Sequence, residues 1–369
     1  MWNLRRLRTF LTMAIVFIAV SMVPLGANVT SYASATSASA FDITGLDLHD
    51  GMMMQFGGTY YLYGTEYACG FTWRQSNTPW CGFGVSTSTD KVHWTAPSLL
   101  FSPNDIDGWT NTTWTSECGA IGAGCFNPRM FQRSGWGVND GVWILWFNAP
   151  ADYNRSRANP YYAMGCNGPA GPCGDSAGAP HGSTHKPSLS ICGGDGDFDI
   201  VADPGGGLPE MLCTNADQTL SEEQLDMWGT NGDAVGSTDL AGLSNVEAPG
   251  AYYDTPSRTW ILTYSDPNCG YCNGTGTGYA TASNLAGPWT APAVTGIGNR
   301  AASGRRELSA TSCGGQPRTI SIIDGQPYEG IDLWTGAANE KTAPLHYEPL
   351  DYAGAATSPW QPFQPWSCS

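Results

Sequence analysis

Three carboxylates stand in settings that suit chemistry. Asp50 opens Asp50-Gly51-Met52-Met53, ten residues ahead of the aromatic pair Tyr60-Tyr61. Asp197 opens DFDIVADPGGG (197–207), with Asp203 six residues on and Gly206 nine on. Glu247 lies in VEAPGAYYDTPSRTWILTYS (246–265), and YATASNLAGPW (279–289) follows. Carboxyls whose surroundings keep one protonated and another ionised are the equipment of general acid–base catalysis. Each acid also has a plainer use. Asp50 could close a turn, and Asp47 competes with it. Asp197 lies among Asp195, Asp199 and Asp203, a set that suits a solvated loop or a calcium site; the spacing to Asp203 and Gly206 favours Asp197.

Other groups carry weaker signals. His181 and His185 have i,i+4 spacing, but in a Gly/Pro-rich loop rather than a helix, which weakens a metal reading. Cys269-Gly-Tyr-Cys272 has redox or zinc spacing, without a second such pair or a nearby His; a small structural loop is the expectation. Trp73, Trp80, Trp109, Trp114 and Trp136 fall on predicted loops. One or two of them are expected to line a cleft, where a ring face stacks on sugar C–H groups, and the rest to pack.

What positions such residues is a chain of strands. HDGMMMQFGGTYYLYG (49–64) reads as two antiparallel strands around a Gly57-Gly58 turn, with the acid Asp50 at the entrance. Comparable runs, GTYYLYG (58–64), GVWILWF (141–147), LPEMLCT (208–214), RTWILTY (258–264) and QPYEGIDLW (326–334), each follow a turn signal. They begin about 50 to 85 residues apart, room for one small antiparallel sheet per unit. VSTSTDKVHW (85–94) and YATASNLAGPW share an outer-strand pattern ending in Trp. Charged residues are only 13 %, with 47 Gly and 25 Pro, and SEEQLDMW (221–228) is the best short helix candidate. The fold class predicted is all-β. Five units suggest a five-bladed β-propeller; a β-sandwich with long loops fits the periodicity as well.

The start of the chain reads differently. Arg5, Arg6 and Arg8 precede an apolar run from Phe10 to about Val23, followed by small residues. This is a secretory signal peptide pattern within residues 1–40. Cleavage is expected at Ala33-Ser34-Ala35 or Ala38-Ser39-Ala40, with Ala27 an alternative. Residues 41–369 then form one domain, secreted and free of the membrane. Without the leader, 13 basic residues face 32 acidic ones, a formal charge of −19. Such a chain repels nucleic acid and anionic membranes and suits a neutral ligand. All twelve cysteines lie beyond the leader, so disulfides are expected. The close pairs are Cys69 with Cys81, Cys118 with Cys125, Cys166 with Cys173, and Cys192 with Cys213; Cys313 and Cys368 remain to tie the C-terminus down.

Taken in order, Asp50, Asp197 and Glu247 with their flanking segments resemble glycoside hydrolase family 43, the five-bladed propeller glycosidases. The Glu-Ala-Pro segment with its strand and Gly-Pro-Trp sequel is the closest match; residues 100–195 match poorly. The resemblance implies inverting hydrolysis of a glycosidic bond, with Asp50 as general base, Asp197 as the acid that orients and tunes, and Glu247 as general acid. Such a reaction needs the acid and base carboxyls about 6.5–9.5 Å apart, with the acid held protonated. Asn127-Pro128-Arg129 matches a substrate-contacting place, so Arg129 is expected to bind sugar hydroxyls. Many members put a His in the fifth blade near a central ion or water; here SCGGQPRTI (312–320) supplies Gln316 and Arg318. No cofactor or metal is therefore expected, and a central calcium finds no support there. His49 and Gln316 resemble the branch that cuts β-1,3-galactan, although that branch lacks the first-blade acid and this chain has Asp50. The expected substrate is a neutral carbohydrate ending in α-L-arabinofuranose or β-xylose, with β-galactose as the alternative and a glycan-binding propeller as the competing class. A monomer is expected.

Overall fold

The computed structural model describes residues 38–369, apart from 120–121, 134–139, 155–158, 178–183, 195, 292–304, 353–362 and 369. The signal-peptide segment 1–37, Trp136, His181 and Asp195 lie outside the described residues. Among those described, no helix is long and apolar enough to cross a membrane.

Five four-stranded antiparallel sheets form the five blades of a propeller. The first blade comprises Met53–Phe56, Thr59–Thr65, Phe83–Ser88 and Ser98–Leu99. The second comprises Phe126–Gln132, Trp143–Asn148, Tyr161–Cys166 and Thr184–His185, and the third Phe198–Val201, Glu210–Thr214, Leu220–Leu225 and Gly232–Ser237. The fourth is built from Glu247–Asp254, Thr259–Asp266, Gly276–Ala282 and Glu307–Ser309. Gln316–Ile323, Gln326–Asp332 and Leu345–Pro349 make the fifth, and its last strand, Phe41–Ile43, comes from the other end of the chain. This closure leaves no long edge strand open between first and last blade.

The five aromatic and aliphatic runs seen in the sequence are the second strands of the five blades. A second strand is paired on both sides and packed on both faces, so it reads as a near-continuous apolar run. Trp143–Asn148 is buried at every position. The Gly57-Gly58 turn forms as expected, with φ of 58° and 79°, the left-handed pair a two-residue hairpin loop requires. Between blades the core is strongly aromatic: Phe83, Phe101, Trp114, Phe147 and Tyr162 pack in one cluster.

Two readings need correcting. SEEQLDMW is no helix. Residues 220–225 form the third strand of the third blade, because Glu223 turns inward to accept the N–H groups of Ser190, Ile191 and Cys192 at 2.8–3.1 Å. The Trp-ending segments are third strands rather than outermost ones, since Ser98–Leu99 and Glu307–Ser309 pair outside them. All five expected cysteine pairs are disulfides, and Cys269 joins Cys272.

Candidate active site

The first strands of the blades pack against one another around the axis, and the acids sit where these strands begin. Asp50 precedes the first strand of blade one, Asp197 directly precedes that of blade three, and Glu247 is the first residue of that of blade four. The beginnings in blades one, two, four and five are irregular. Asp50 has a φ of 54°, Asn127 of 58° and Ala248 of 55°. Pairing shifts register between Phe126 and Arg129, between Glu247 and Gly250, and between Pro317 and Thr319. Bulges of this kind re-aim side chains at the end of a sheet. Gly51 is required behind Asp50: a Cβ there would lie 1.9 Å from the Tyr63 carbonyl oxygen.

Asp50, Asp197 and Glu247 thereby line one cavity of about 490 Å³, together with Asn127, Gln316, Arg318 and Asp332. Asn127 links two of the acids. Its N–H donates to Asp50 Oδ1 at 3.1 Å and its side-chain amide to Asp197 Oδ1 at 2.8 Å. The Thr65 hydroxyl also donates to Asp50 Oδ1, at 2.9 Å. Asp50 Oδ2 meets no protein donor among the described residues. Burial, and then the Asp332 carboxylate, push the Asp50 carboxyl well above the usual carboxylate range. Glu247 Oε1 accepts the Cys269 N–H at 2.6 Å and the Gln316 amide at 3.0 Å.

The remaining expected residues divide. Gln316 reaches the cavity, and its amide is fixed: Oε1 accepts from the Trp334 indole at 2.9 Å and the Tyr271 N–H at 3.1 Å, so Nε2 faces Glu247. Arg318 lines the cavity while its guanidinium donates to Asp332 at 2.9 Å and Tyr347 at 2.9 Å. Arg129 does not line the cavity. It is 1 % exposed, and its guanidinium donates to the backbone carbonyls of Phe198, Asp50 and Arg318, beside Asp199 at 3.7 Å. Its neighbour Asn127 is the cavity residue of that motif. His49 is fully buried between the Tyr67 and Trp334 rings, 3.3 Å from Asp47, and also lies outside the cavity lining. Asp47 accepts the N–H groups of Tyr67 and Ala68 and does not reach the cavity.

Asp199 and Asp203 part company: the first turns to Arg129, the second accepts the Gly205 N–H in its own turn. His185 pairs with Asn231 at 2.6 Å. Trp73 lines the cavity, Trp80 and Trp114 are core, and Trp109 is exposed. Asp332, Trp334 and Tyr271 are among the lining residues that were missed. Asp332 lies opposite Gln316 on the second strand of blade five, inside QPYEGIDLW, a run that reads as structural. Trp334 ends that run. Tyr271 is the tyrosine of the Cys269–Cys272 loop, stacked on Trp73 at 4.4 Å and tilted on Trp334 at 4.6 Å.

No protein-family model and no curated protein matches the chain. Solved structures do. An exo-β-1,3-galactanase from Phanerochaete chrysosporium, in complex with β-1,3-galactotriose, superposes with a TM-score of 0.60 at 16 % identity, over 86 % of this chain and 65 % of that one. The fold is that of the glycoside hydrolase family 43 propellers. A second family 43-like neighbour, an exo-β-1,3-galactanase from Clostridium thermocellum, gives 0.58 at 18 % identity over 84 % of this chain and 60 % of that one. An endo-1,4-β-xylanase from Bacteroides thetaiotaomicron gives 0.55 at 17 % identity, covering 85 % and 94 %. The chain thus spans less than two thirds of the galactanases' length. At these identities the likeness is one of fold, and the chemistry rests on this chain's own residues.

Proposed function

We propose that the protein is a secreted inverting glycoside hydrolase acting on a neutral polysaccharide or oligosaccharide. The observation that carries the proposal is the convergence of Asp50, Asp197 and Glu247, from three different blades, on one cavity with an aromatic wall. In this reading Glu247 protonates the leaving glycosidic oxygen. Asp50 Oδ2 takes a proton from the water that attacks the anomeric carbon from the opposite face. Asp197, tied to Asp50 through Asn127, orients the pair and adds negative charge near the acid. Trp73, Tyr271 and Trp334 offer ring surface to a sugar. Six disulfides support an oxidising destination outside the cytosol.

For the sugar, two of the three superposed enzymes are named for β-1,3-galactan. This supports terminal β-galactose at least as well as α-L-arabinofuranose or β-xylose, and the xylanase keeps xylose in contention. The test is sugar release from arabinan, xylan and β-1,3-galactan, with the anomer first formed followed by NMR. Inversion on one of them is expected; binding without release would make the propeller a glycan-binding module. Glu247→Gln should keep the fold and lose about 100- to 10,000-fold in rate on an unactivated glycoside. Wild-type turnover by that variant would refute the acid assignment.

A further inference from the structure

The Cys269–Cys272 loop is built around Glu247 more closely than a structural staple requires. The Cys269 N–H donates to Glu247 Oε1 at 2.6 Å. Two residues on, Tyr271 has a φ of 56°, a left-handed conformation that a non-glycine residue adopts at a cost. That conformation puts its ring against both Trp73 and Trp334. Its hydroxyl lies 2.6 Å from the Tyr67 hydroxyl, and its N–H donates to Gln316 Oε1 at 3.1 Å. Gly270 between them is demanded by packing, since a Cβ there would stand 2.7 Å from the Trp73 ring. The loop is thus docked by ring stacking, by a phenol pair and by the same glutamine whose Nε2 is the second donor to Glu247 Oε1.

We infer that the disulfide-closed loop Cys269–Cys272, with Gln316, is the positioning device of the general acid. A carboxyl oxygen has two lone pairs, and both donors address Oε1. These two donors fix the carboxyl plane before substrate arrives. The inference rests on the proposed glycosidase reading. Hydrogen bonds to Oε1 also favour the ionised form, so losing them makes the carboxyl a weaker acid. The charged groups sharing the cavity with Glu247 are Asp50, Asp197, Asp332, Arg74 and Arg318, none of them on the loop, and the loop's own titratable group is the Tyr271 phenol.

The experiment compares wild type with Cys269→Ser/Cys272→Ser on two substrates carrying the sugar that wild type releases. One is an oligosaccharide, with a poor leaving group; the other is its 4-nitrophenyl glycoside, which needs little acid help. The expected result is a kcat loss at least about tenfold larger on the oligosaccharide than on the aryl glycoside, with the alkaline limb of kcat/KM moved to higher pH. Gln316→Leu keeps the disulfide, removes the loop's docking acceptor and the second donor, and should show the same selective loss. It decides the matter if the double variant does not fold. Equal losses on both substrates with an unmoved alkaline limb would overturn the loop's role and leave the glycosidase reading standing. A wild type that releases no sugar from any substrate would overturn both.

Discussion

In the proposed mechanism Asp50 acts as a base from a place that disfavours its charge. Burial and the nearby Asp332 carboxylate both raise its proton affinity. A base with a raised pKa is ionised only at higher pH, so the acidic limb of kcat/KM should lie above the ordinary carboxylate range. Asp332→Asn removes the repelling charge, lowers the Asp50 pKa and should move that limb to lower pH; a limb that stays put would separate Asp50 from the base role. At this scale the sequence shows acids more readily than their surroundings. Glu247 and Asp197 have distinctive flanks, whereas Asp332 ends an apolar run and carries no local mark of its use. Tyr271 is hidden between two cysteines whose spacing announces only a staple. Arg129 looks like a sugar ligand because a cation beside Asn127 and Pro128 says nothing about which way its fork turns. Three carbonyls from three blades claim it instead.

At the level of elements, all five second strands were legible, while among the first strands the plainest was that of blade one, read through its Gly57-Gly58 hairpin. The former are unbroken apolar runs. In blades two, four and five the latter are bulged where they begin, which re-aims side chains at the cavity and breaks the apolar run. SEEQLDMW shows tertiary pairing overriding local helix preference. Its strand also shares a pH-sensitive pair with the second strand of the same blade, Glu222 on the one and Glu210 on the other. Burial pushes Glu210 up to about 7, and burial with Glu210 beside it pushes Glu222 up to about 8. Carboxyls whose folded pKa exceeds the unfolded value contribute stability that is fully present below about pH 4.5 and is lost as pH rises through the folded values. The melting temperature should therefore fall between pH 5 and about pH 8. Glu222→Gln should flatten that fall and stabilise the protein at the alkaline end; an unchanged slope in calorimetry would show that the pair is not its source.

For the molecule as a whole, five sheets must be held to one axis. Arg129 does this from blade two, reaching backbone of blades three and five and the entrance to blade one. Arg129→Met leaves those carbonyls unpaired and Asp199 buried without its cation, and should cost about 3–5 kcal/mol in chemical denaturation. A loss of activity with undiminished stability would instead return Arg129 to the substrate. The ring closes through Phe41–Ile43, where Phe41 stacks on Tyr347 at 5.1 Å and His346 bonds Asp42 across 304 positions. Deleting residues 38–43 should lower the melting temperature and leave the protein prone to pair through the bared edge of Leu345–Pro349, measurable as a rise in mass over wild type by light scattering.

That closure has a consequence for how the chain reaches its fold. The segment that completes the last blade is synthesised 304 positions before the strand it docks against. Until then the leading strand has nowhere native to bind, and every shorter nascent chain presents an open ring. A closure between segments so far apart is a long-range pairing, the kind that forms slowly, so recovery of the native fold after unfolding should be limited by the docking of Phe41–Ile43.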